Sequence, residues 1–351
     1  GVSTVSGTFG ITSGGAITDS GTLAITGDAT FTNTSGSNDA ITLDDASNAF
    51  AGTVTFATDS GSAVTIVDTT ALDLKTLSAA SLSVTAGGAV TDSGTLAIIG
   101  ATTINSGSAD LTLNEASSTF GTLVLTGANV AVTDAGAVDL GVSTVSGTFG
   151  ITSGGAITDS GTLAITGDAT FTNTSGSNDA ITLDDASNAF AGTVTFATDS
   201  GSAVTIVDTT ALDLKALSAA SLSVTAGGAV TDSGTLAISG ATTLNSGSAD
   251  LTLDDAASTF GALAITGANV AVTENAAMDL GASTISGTAS FNSTSNAITD
   301  SGTLAITGVT TINSGSADLT LNEAASTFGT LAITGTNVAV TDAGAADLGV
   351  S

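Results

Sequence analysis

Short runs along the chain alternate apolar residues with small polar ones: Ala40-Ile41-Thr42-Leu43, Thr53-Val54-Thr55-Phe56, Val64-Thr65-Ile66-Val67 and Leu82-Ser83-Val84-Thr85. A period of two puts Ile, Leu and Val on one face of a strand and Thr or Ser on the other. Thr, Val and Ile favour strands, while the Gly, Asn, Asp and Ser between the runs favour turns. No helical apolar face of three or more turns is visible. The pattern predicts an all-β chain of short strands joined by short turns.

Repetition decides how such strands are arranged. Residues 1–75 and 141–215 are identical, a period of 140, and the register holds beyond Thr76, which becomes Ala216. A weaker period of about 70 lies inside it. Thr-Asp-Ser-Gly followed by Thr-Leu-Ala-Ile begins at Thr18, Thr91, Thr158, Thr231 and Thr299, and a Phe closes an acidic segment at Phe50, Phe120, Phe190, Phe260 and Phe328. The blocks are therefore 22–94, 95–161, 162–234, 235–302 and a truncated 303–351, with 1–21 as the tail of a preceding block. Gly349-Val350-Ser351 repeats Gly1-Val2-Ser3, and neither end carries an atypical capping repeat. The chain reads as one continuous segment of a longer array.

Strands this short leave two main options, an antiparallel sandwich or barrel and a parallel β-helix. Near-perfect copying favours the β-helix, because every coil of a solenoid has the same neighbours above and below and one sequence solution can be reused. A block of about 70 residues then fits three coils of roughly 23 residues, each with three short strands. For block 22–94 the coils would run from Thr22 to Gly52, on to Thr76, and on to Gly94. About 15 coils at about 4.8 Å each would stack over roughly 70 Å.

The runs Gly21-Thr22-Leu23-Ala24-Ile25, Ala29-Thr30-Phe31-Thr32, Ala40-Ile41-Thr42-Leu43-Asp44-Asp45 and Leu82-Ser83-Val84-Thr85-Ala86-Gly87-Gly88-Ala89-Val90-Thr91 resemble the repeats of filamentous-haemagglutinin-type exoproteins and giant bacterial surface adhesins. The resemblance spans the whole chain and rests on pattern, not on a catalytic signature. It implies a right-handed parallel β-helix, export to the cell surface, often by two-partner secretion, and a role in adhesion or fibre building.

Composition narrows the chemistry. The 351 residues hold 32 Asp and Glu against 2 Lys and no Arg, a formal net charge of −30, with no Pro, Cys, His, Trp or Tyr. Without His or Cys there is no Ser-His-Asp triad, thiol nucleophile, zinc or haem site or disulfide framework. The negative charge and the lack of aromatic platforms argue against nucleic acid as a partner. Disorder does not fit either, since 42% of residues are hydrophobic, only 10% are charged and the mean hydropathy is +0.47. Thr, Ser, Gly or Asp interrupts every apolar stretch, so no membrane span is expected.

The acidic residues recur in register. One set is Asp44-Asp45, Asn114-Glu115, Asp184-Asp185, Asp254-Asp255 and Asn322-Glu323; the others are Asp68, Asp134, Asp208, Glu274 and Asp342; Asp73, Asp139, Asp213, Asp279 and Asp347; and Asp19, Asp92, Asp159, Asp232 and Asp300. The plain reading is that these are turn residues bonding nearby backbone amides. The functional reading is cation binding, with Asp44, Asp45, Glu115, Asp184, Asp185, Asp254, Asp255 and Glu323 as calcium candidates. Each set is expected to form one column with a member every third coil, about 14 Å apart, beyond the Debye length of about 8 Å. The Gly-Gly-x-Gly-x-Asp motif of calcium-binding β-rolls is absent, so calcium is expected at most as a surface counterion and no cofactor is expected.

An enzyme is not expected. Glycoside hydrolysis by paired carboxylates needs one singular preorganised site, and here every acidic pair is copied. A flat Thr-x-Thr ice-binding ladder is broken, with Thr30-Phe31-Thr32 matched elsewhere by Thr102-Thr103-Ile104 and Val309-Thr310-Thr311. The five block Phe residues are expected to fill the core as one ladder, a ring every third coil. Lys75 and Lys215 follow Asp-Leu and are expected to be solvated beside Asp73 and Asp213.

The expected function is structural: the shaft of an extracellular, cell-surface bacterial fibre or giant adhesin. It would self-associate end to end or laterally, and contact host or neighbouring cells through regions outside this segment. The rival reading is a repetitive cation- or glycan-binding surface protein that uses its acidic turns.

Overall fold

The computed structural model describes residues 1–34, 36 and 38–349. The Val350-Ser351 part of the terminal echo therefore lies outside the described residues. The chain forms two units, Gly1–Ser175 and Gly176–Ser351, and among the described residues the regular elements of each are short parallel strands.

In the first unit one sheet stacks Phe9–Ser13, Ala29–Asn33, Thr53–Ala57, Leu72–Leu74, Val90–Asp92, Leu111–Leu113, Val130–Asp134, Phe149–Ser153 and Ala169–Asn173. A second sheet stacks Ile17–Thr18, Ile41–Leu43, Ala63–Asp68, Ser81–Ala86, Thr102–Asn105 and Thr122–Gly127. Two shorter ladders complete the coils: Ser3–Val5, Leu23–Ile25 and Ala49–Phe50 stack in the stretch that leads into the first sheet, and Leu77–Ala79 pairs with Leu96–Ile98 in the stretch between the first sheet and the second. The second unit repeats the scheme, its first sheet running from Thr193–Ala197 through Leu212–Leu214 and Val230–Asp232 to Thr330–Thr334. These pairings are parallel, as a solenoid requires. The fold is thus the expected parallel β-solenoid with three sheets, in about 17 turns, not 15.

The core follows the alternation. In Ala29–Asn33 the residues Ala29, Phe31 and Asn33 point inward, and in Thr53–Ala57 Val54 and Phe56 do so. Parallel stacking lays like on like: Phe31 pairs with Phe56 in register, and their rings stack with centroids 5.7 Å apart. Phe9 and Phe50 also meet Phe31, at 5.6 and 6.0 Å. At one corner Gly7, Gly27 and Gly52 pass so close that a Cβ on Gly52 would stand 2.5 Å from the carbonyl carbon of Gly27.

Coil length departs from expectation. In the first sheet Phe9 pairs with Ala29, Ala29 with Val54, Leu72 with Val90 and Val130 with Phe149, so the length of chain in a coil varies from step to step. Seven pairing steps lead from Phe9–Ser13 to Phe149–Ser153. The stretch that separates Phe9 from its copy Phe149 therefore holds seven coils, and the mean coil is as long as the step from Phe9 to Ala29. Each block, half of that stretch, is then three and a half coils, not three. The expected coils from Thr22 to Gly52 and from Gly52 to Thr76 are longer than the pairings of Ala24 with Ala49 and Thr53 with Asp73 allow, whereas Thr76 and Gly94 do stack one coil apart. Equivalent segments of successive blocks must lie on different faces. Ile41–Leu43 is in the second sheet while its counterpart Leu111–Leu113 is in the first; Thr53–Ala57 is in the first while Thr122–Gly127 is in the second. The second unit alternates likewise: Ile181–Leu183 in the second sheet, Leu251–Leu253 in the first, Leu319–Leu321 in the second again.

Faces are exchanged where one strand is followed by two. In the first unit Thr53 and Val54 pair with Asp73 and Leu74 while Thr58 Oγ1 donates to the Ser78 carbonyl at 2.7 Å, and farther on Thr122–Gly127 carries two strands above it, Thr122 and Leu123 pairing with Asp139 and Leu140, and Thr126 and Gly127 with Thr144 and Val145. In the second unit Ala262–Gly267 does the same with Met278–Leu280 and Ser283–Ile285.

Candidate functional site

The half-turn offset changes what the acidic sets are. Each expected column is two columns on different sheets. In the first unit Asp44-Asp45 follows a second-sheet strand and Asn114-Glu115 a first-sheet strand; in the second unit Asp184-Asp185 and Asn322-Glu323 follow second-sheet strands and Asp254-Asp255 a first-sheet strand. Same-face members are seven coils apart, about 34 Å at about 4.8 Å per coil. The carboxylates of one set are farther apart than expected and cannot share a cation within a unit.

Locally the pairs after Asp19, Asp92, Asp232 and Asp300 are held by that Asp of Thr-Asp-Ser-Gly one coil earlier. The Asp44 and Asp45 amides donate to the Asp19 carboxylate at 3.0 and 3.3 Å, and Asn48 Nδ2 donates to it at 2.6 Å. The Asn114 and Glu115 amides donate to Asp92 at 2.8 and 3.4 Å, Asp254 to Asp232 at 2.9 Å, and Asn322 and Glu323 to Asp300 at 2.8 and 3.2 Å. The pair then turns on itself: Asp45, Asp185 and Asp255 accept the amide two residues on, at 3.0, 2.9 and 2.8 Å. These are backbone-capping contacts of the Asx type. Burial raises the Asp92 and Asp232 carboxyls above the usual range, and the amides they accept pull the other way. Among the described residues no group of three or more His, Cys, Asp or Glu side chains could hold a metal.

In the set of Asp73, Asp139, Asp213, Asp279 and Asp347, all but Asp279, whose Oδ1 is enclosed without a partner, tie coils through hydroxyls. Ser93 Oγ donates to Asp73 at 2.8 Å, Thr122 Oγ1 and Ser160 Oγ to Asp139 at 2.8 and 2.9 Å, Ser233 Oγ to Asp213 at 2.9 Å, and Thr330 Oγ1 to Asp347 at 2.9 Å. The Asp28 carboxyl is lowered first by the Thr53 amide, then by its hydroxyl, and least by the charge of Lys75. Asp28 thus feels the cation that the sequence placed beside Asp73.

Four of the remaining set lie inside, and the fifth, Asp342, is half-buried. Asp68, Asp134, Asp208 and Glu274 are 1, 2, 1 and 0% exposed. Each accepts the amide of a block Phe: Phe50 to Asp68 at 3.3 Å, Phe120 to Asp134 at 3.0 Å, Phe190 to Asp208 at 3.3 Å and Phe260 to Glu274 at 2.8 Å. Thr70 and Thr210 add amide and hydroxyl donors at 2.9 Å, and Gly136 an amide at 2.7 Å. Asp68 Oδ2, Asp208 Oδ2 and Glu274 Oε1 are enclosed without a partner. Desolvation raises all four carboxyls, Glu274 to about 7. The sequence reading took these residues as turn residues bonding nearby amides, which Thr70 and Gly136 bear out, and did not expect their burial. The signal it passed over is that each follows its Phe at a fixed spacing of 18 or 14 residues, as Asp68 follows Phe50 and Glu274 follows Phe260.

The block Phe residues Phe50, Phe120, Phe190, Phe260 and Phe328 are buried. They do not form one ladder, because the half-turn offset places successive members at different points around the coil. The aromatic stacking comes from within single blocks, as in Phe9, Phe31 and Phe56, or Phe149 and Phe171 at 5.8 Å.

These features define an acidic repeat β-solenoid whose polar groups serve mostly to bond one coil to the next. The chain belongs to the family described as repeats of unknown function (DUF5649), whose model matches residues 1–57, 61–126, 127–197, 201–266 and 267–335. No curated protein and no solved structure matches it. No helix is long and apolar enough to cross a membrane among the described residues.

Proposed function

We propose that this β-solenoid is the shaft of a bacterial extracellular fibre or giant surface adhesin. It spaces or connects, and the specific binding region lies elsewhere. The observation that carries this reading is that the acidic side chains have the same inter-coil partners in copy after copy, as Asp19, Asp92, Asp232 and Asp300 illustrate. A repeated bond of this kind supports continuous stacking, whereas catalysis needs a singular site with its own supporting shell. The likeness of the repeats to filamentous-haemagglutinin-type exoproteins supports export to the cell surface. The absence of Cys suits a chain that crosses an oxidising compartment unfolded.

Two measurements test the reading. Electron microscopy of producing cells labelled with an antibody to the repeats is expected to show surface fibres; label confined to the cell interior refutes it. Calcium titration by calorimetry is expected to show only weak uptake that salt screens. Saturable binding at one site per block, surviving physiological salt, would favour the rival cation-binding reading.

A further inference from the structure

One corner of the second unit departs from the copy it otherwise repeats. In the first unit Asp134-Ala135-Gly136 is followed one coil later by Ser153-Gly154-Gly155-Ala156; in the second unit these places hold Glu274-Asn275-Ala276 and Ser293-Thr294-Ser295-Asn296-Ala297. The second version lengthens the carboxyl side chain by one carbon and replaces three glycines. It also adds one residue to the upper turn, since Val138 pairs with Ile157 but Met278 with Ile298.

These changes leave the carboxyl less well held and the turn above it strained. Asp134 has a donor on each oxygen, the Gly136 amide at 2.7 Å and the Phe120 amide at 3.0 Å. Glu274 keeps the Phe260 amide at 2.8 Å, but its Oε1 is enclosed without a partner. Gly154 and Gly155 are clear of the left-handed region, whereas Thr294 and Ser295 lie in it, with φ of 49° and 84°. Such angles are unfavourable for a residue with a side chain, most of all one branched at Cβ, and persist only where neighbouring contacts impose them. Here Thr294 Oγ1 lies 3.1 Å from both the Glu274 carbonyl and Asn275 Oδ1, and the Glu274 amide donates to the Asn292 carbonyl at 3.0 Å. Ser293 Oγ donates to the Asn296 carbonyl, and Asn296 Nδ2 to the Ser293 carbonyl at 2.9 Å. The strained turn is thus fastened to the segment that carries the carboxyl.

The groups that face Glu274 do not compensate its charge. Asp254 and Asp255 stand at the turn one coil below, Asp279 lies farther along Glu274's own coil, and the coil above has no titratable side chain from Gly281 to Asn296. Lys215, the second unit's one basic residue, is three coils below in the first sheet. Ionised in place, Glu274 is an unpaired buried charge, and water reaches it only if the corner gives way.

We propose that ionisation of Glu274 unlatches this corner: the 293–296 turn lifts, water reaches the carboxylate, and the coils on either side stay stacked. Lifting also releases the two left-handed residues, so charge and strain push the same way. Asp68 and Asp208 also have an enclosed oxygen without a partner, but the glycines one coil above them, Gly87-Gly88 and Gly227-Gly228, are not left-handed, and those corners stay shut. The inference stands on this corner alone and does not depend on the fibre reading.

Linkage sets the sign. The closed corner binds the Glu274 proton more tightly than the open one, about 7 against 4.5. Closure is therefore fully favoured below about 4.5, and that advantage is lost as pH rises through 7. The open fraction should rise roughly fiftyfold between pH 5 and pH 8 and level off above.

Hydrogen exchange of the full chain, read by mass spectrometry and corrected for intrinsic rates, tests the latch. Segments 272–276 and 290–297 are expected to lose protection roughly fiftyfold from pH 5 to pH 8. The first-unit counterpart 132–136 and the neighbouring strand Leu319–Leu321 should change at least about tenfold less. E274Q should abolish the pH dependence, and S295G should lower opening severalfold at every pH without altering the slope. A flat wild-type profile, equal loss at both corners, or an unchanged slope in E274Q overturns the proposal. An S295G chain that opens no less readily than wild type overturns the part played by strain.

Discussion

The E274Q variant isolates the effect of one interior carboxylate. Glu274 accepts the Phe260 amide at 2.8 Å, is fully buried, has an enclosed Oε1 with no partner, and is raised from 4.5 to about 7 by desolvation. No charged neighbour contributes to that shift. With each pH unit of displacement equivalent to about 1.4 kcal/mol, it corresponds to about 3 kcal/mol at most. The sign follows from which state binds the proton more tightly. The folded chain does, so the stabilisation is fully present below about 4.5, is lost as pH rises, and is gone above about 7. Gln keeps an acceptor for Phe260 and carries no charge at any pH. In urea unfolding followed by circular dichroism, E274Q should match wild type within about 1 kcal/mol at pH 4.5 and exceed it by about 2–3 kcal/mol at pH 8. Asp68, Asp134 and Asp208 shift the same way but are common to both chains and cancel in the difference. An E274Q increment that is the same at both pH values refutes the reasoning.

Two further outcomes follow from the packing. G52A should destabilise by about 1–3 kcal/mol, because the new Cβ would meet the Gly27 backbone at 2.5 Å; an unchanged urea midpoint would mean that the corner is open. F190A should cost about 3–5 kcal/mol, by emptying a fully buried ring site, and should free the second unit's interior to bind a hydrophobic dye. An unchanged stability with no dye uptake would contradict the buried placement.

Much of the fold was legible in the chain itself. Alternation in runs such as Thr53-Val54-Thr55-Phe56 reports which side chains face inward, because successive side chains of a strand must point to opposite faces. The identity of 1–75 with 141–215 favours stacking over a sandwich, because only equivalent surroundings reward copying. The turn role of Asp45 and Asp255 was legible too, since an Asp in a turn accepts the amide two residues on; that Asp19 and Asp92 reach amides one coil later was not. Coil length was not. It depends on how much chain each corner absorbs, and a corner is settled by the backbone one coil below, as at Gly7, Gly27 and Gly52. Three and a half coils per block in place of three turns every expected column into two, and no local pattern reports that number. Burial of Asp68 and Glu274 was hidden for a related reason: it depends on the Phe50 or Phe260 amide, most of a coil earlier in the chain, needing an acceptor inside the coil. The chain thus determined its strands, their inward faces and their stacking, which are local or copied properties. Only the closed coil decided which equivalent residues share a face and which carboxylates lie in the dark, because both depend on distances that accumulate around a whole turn.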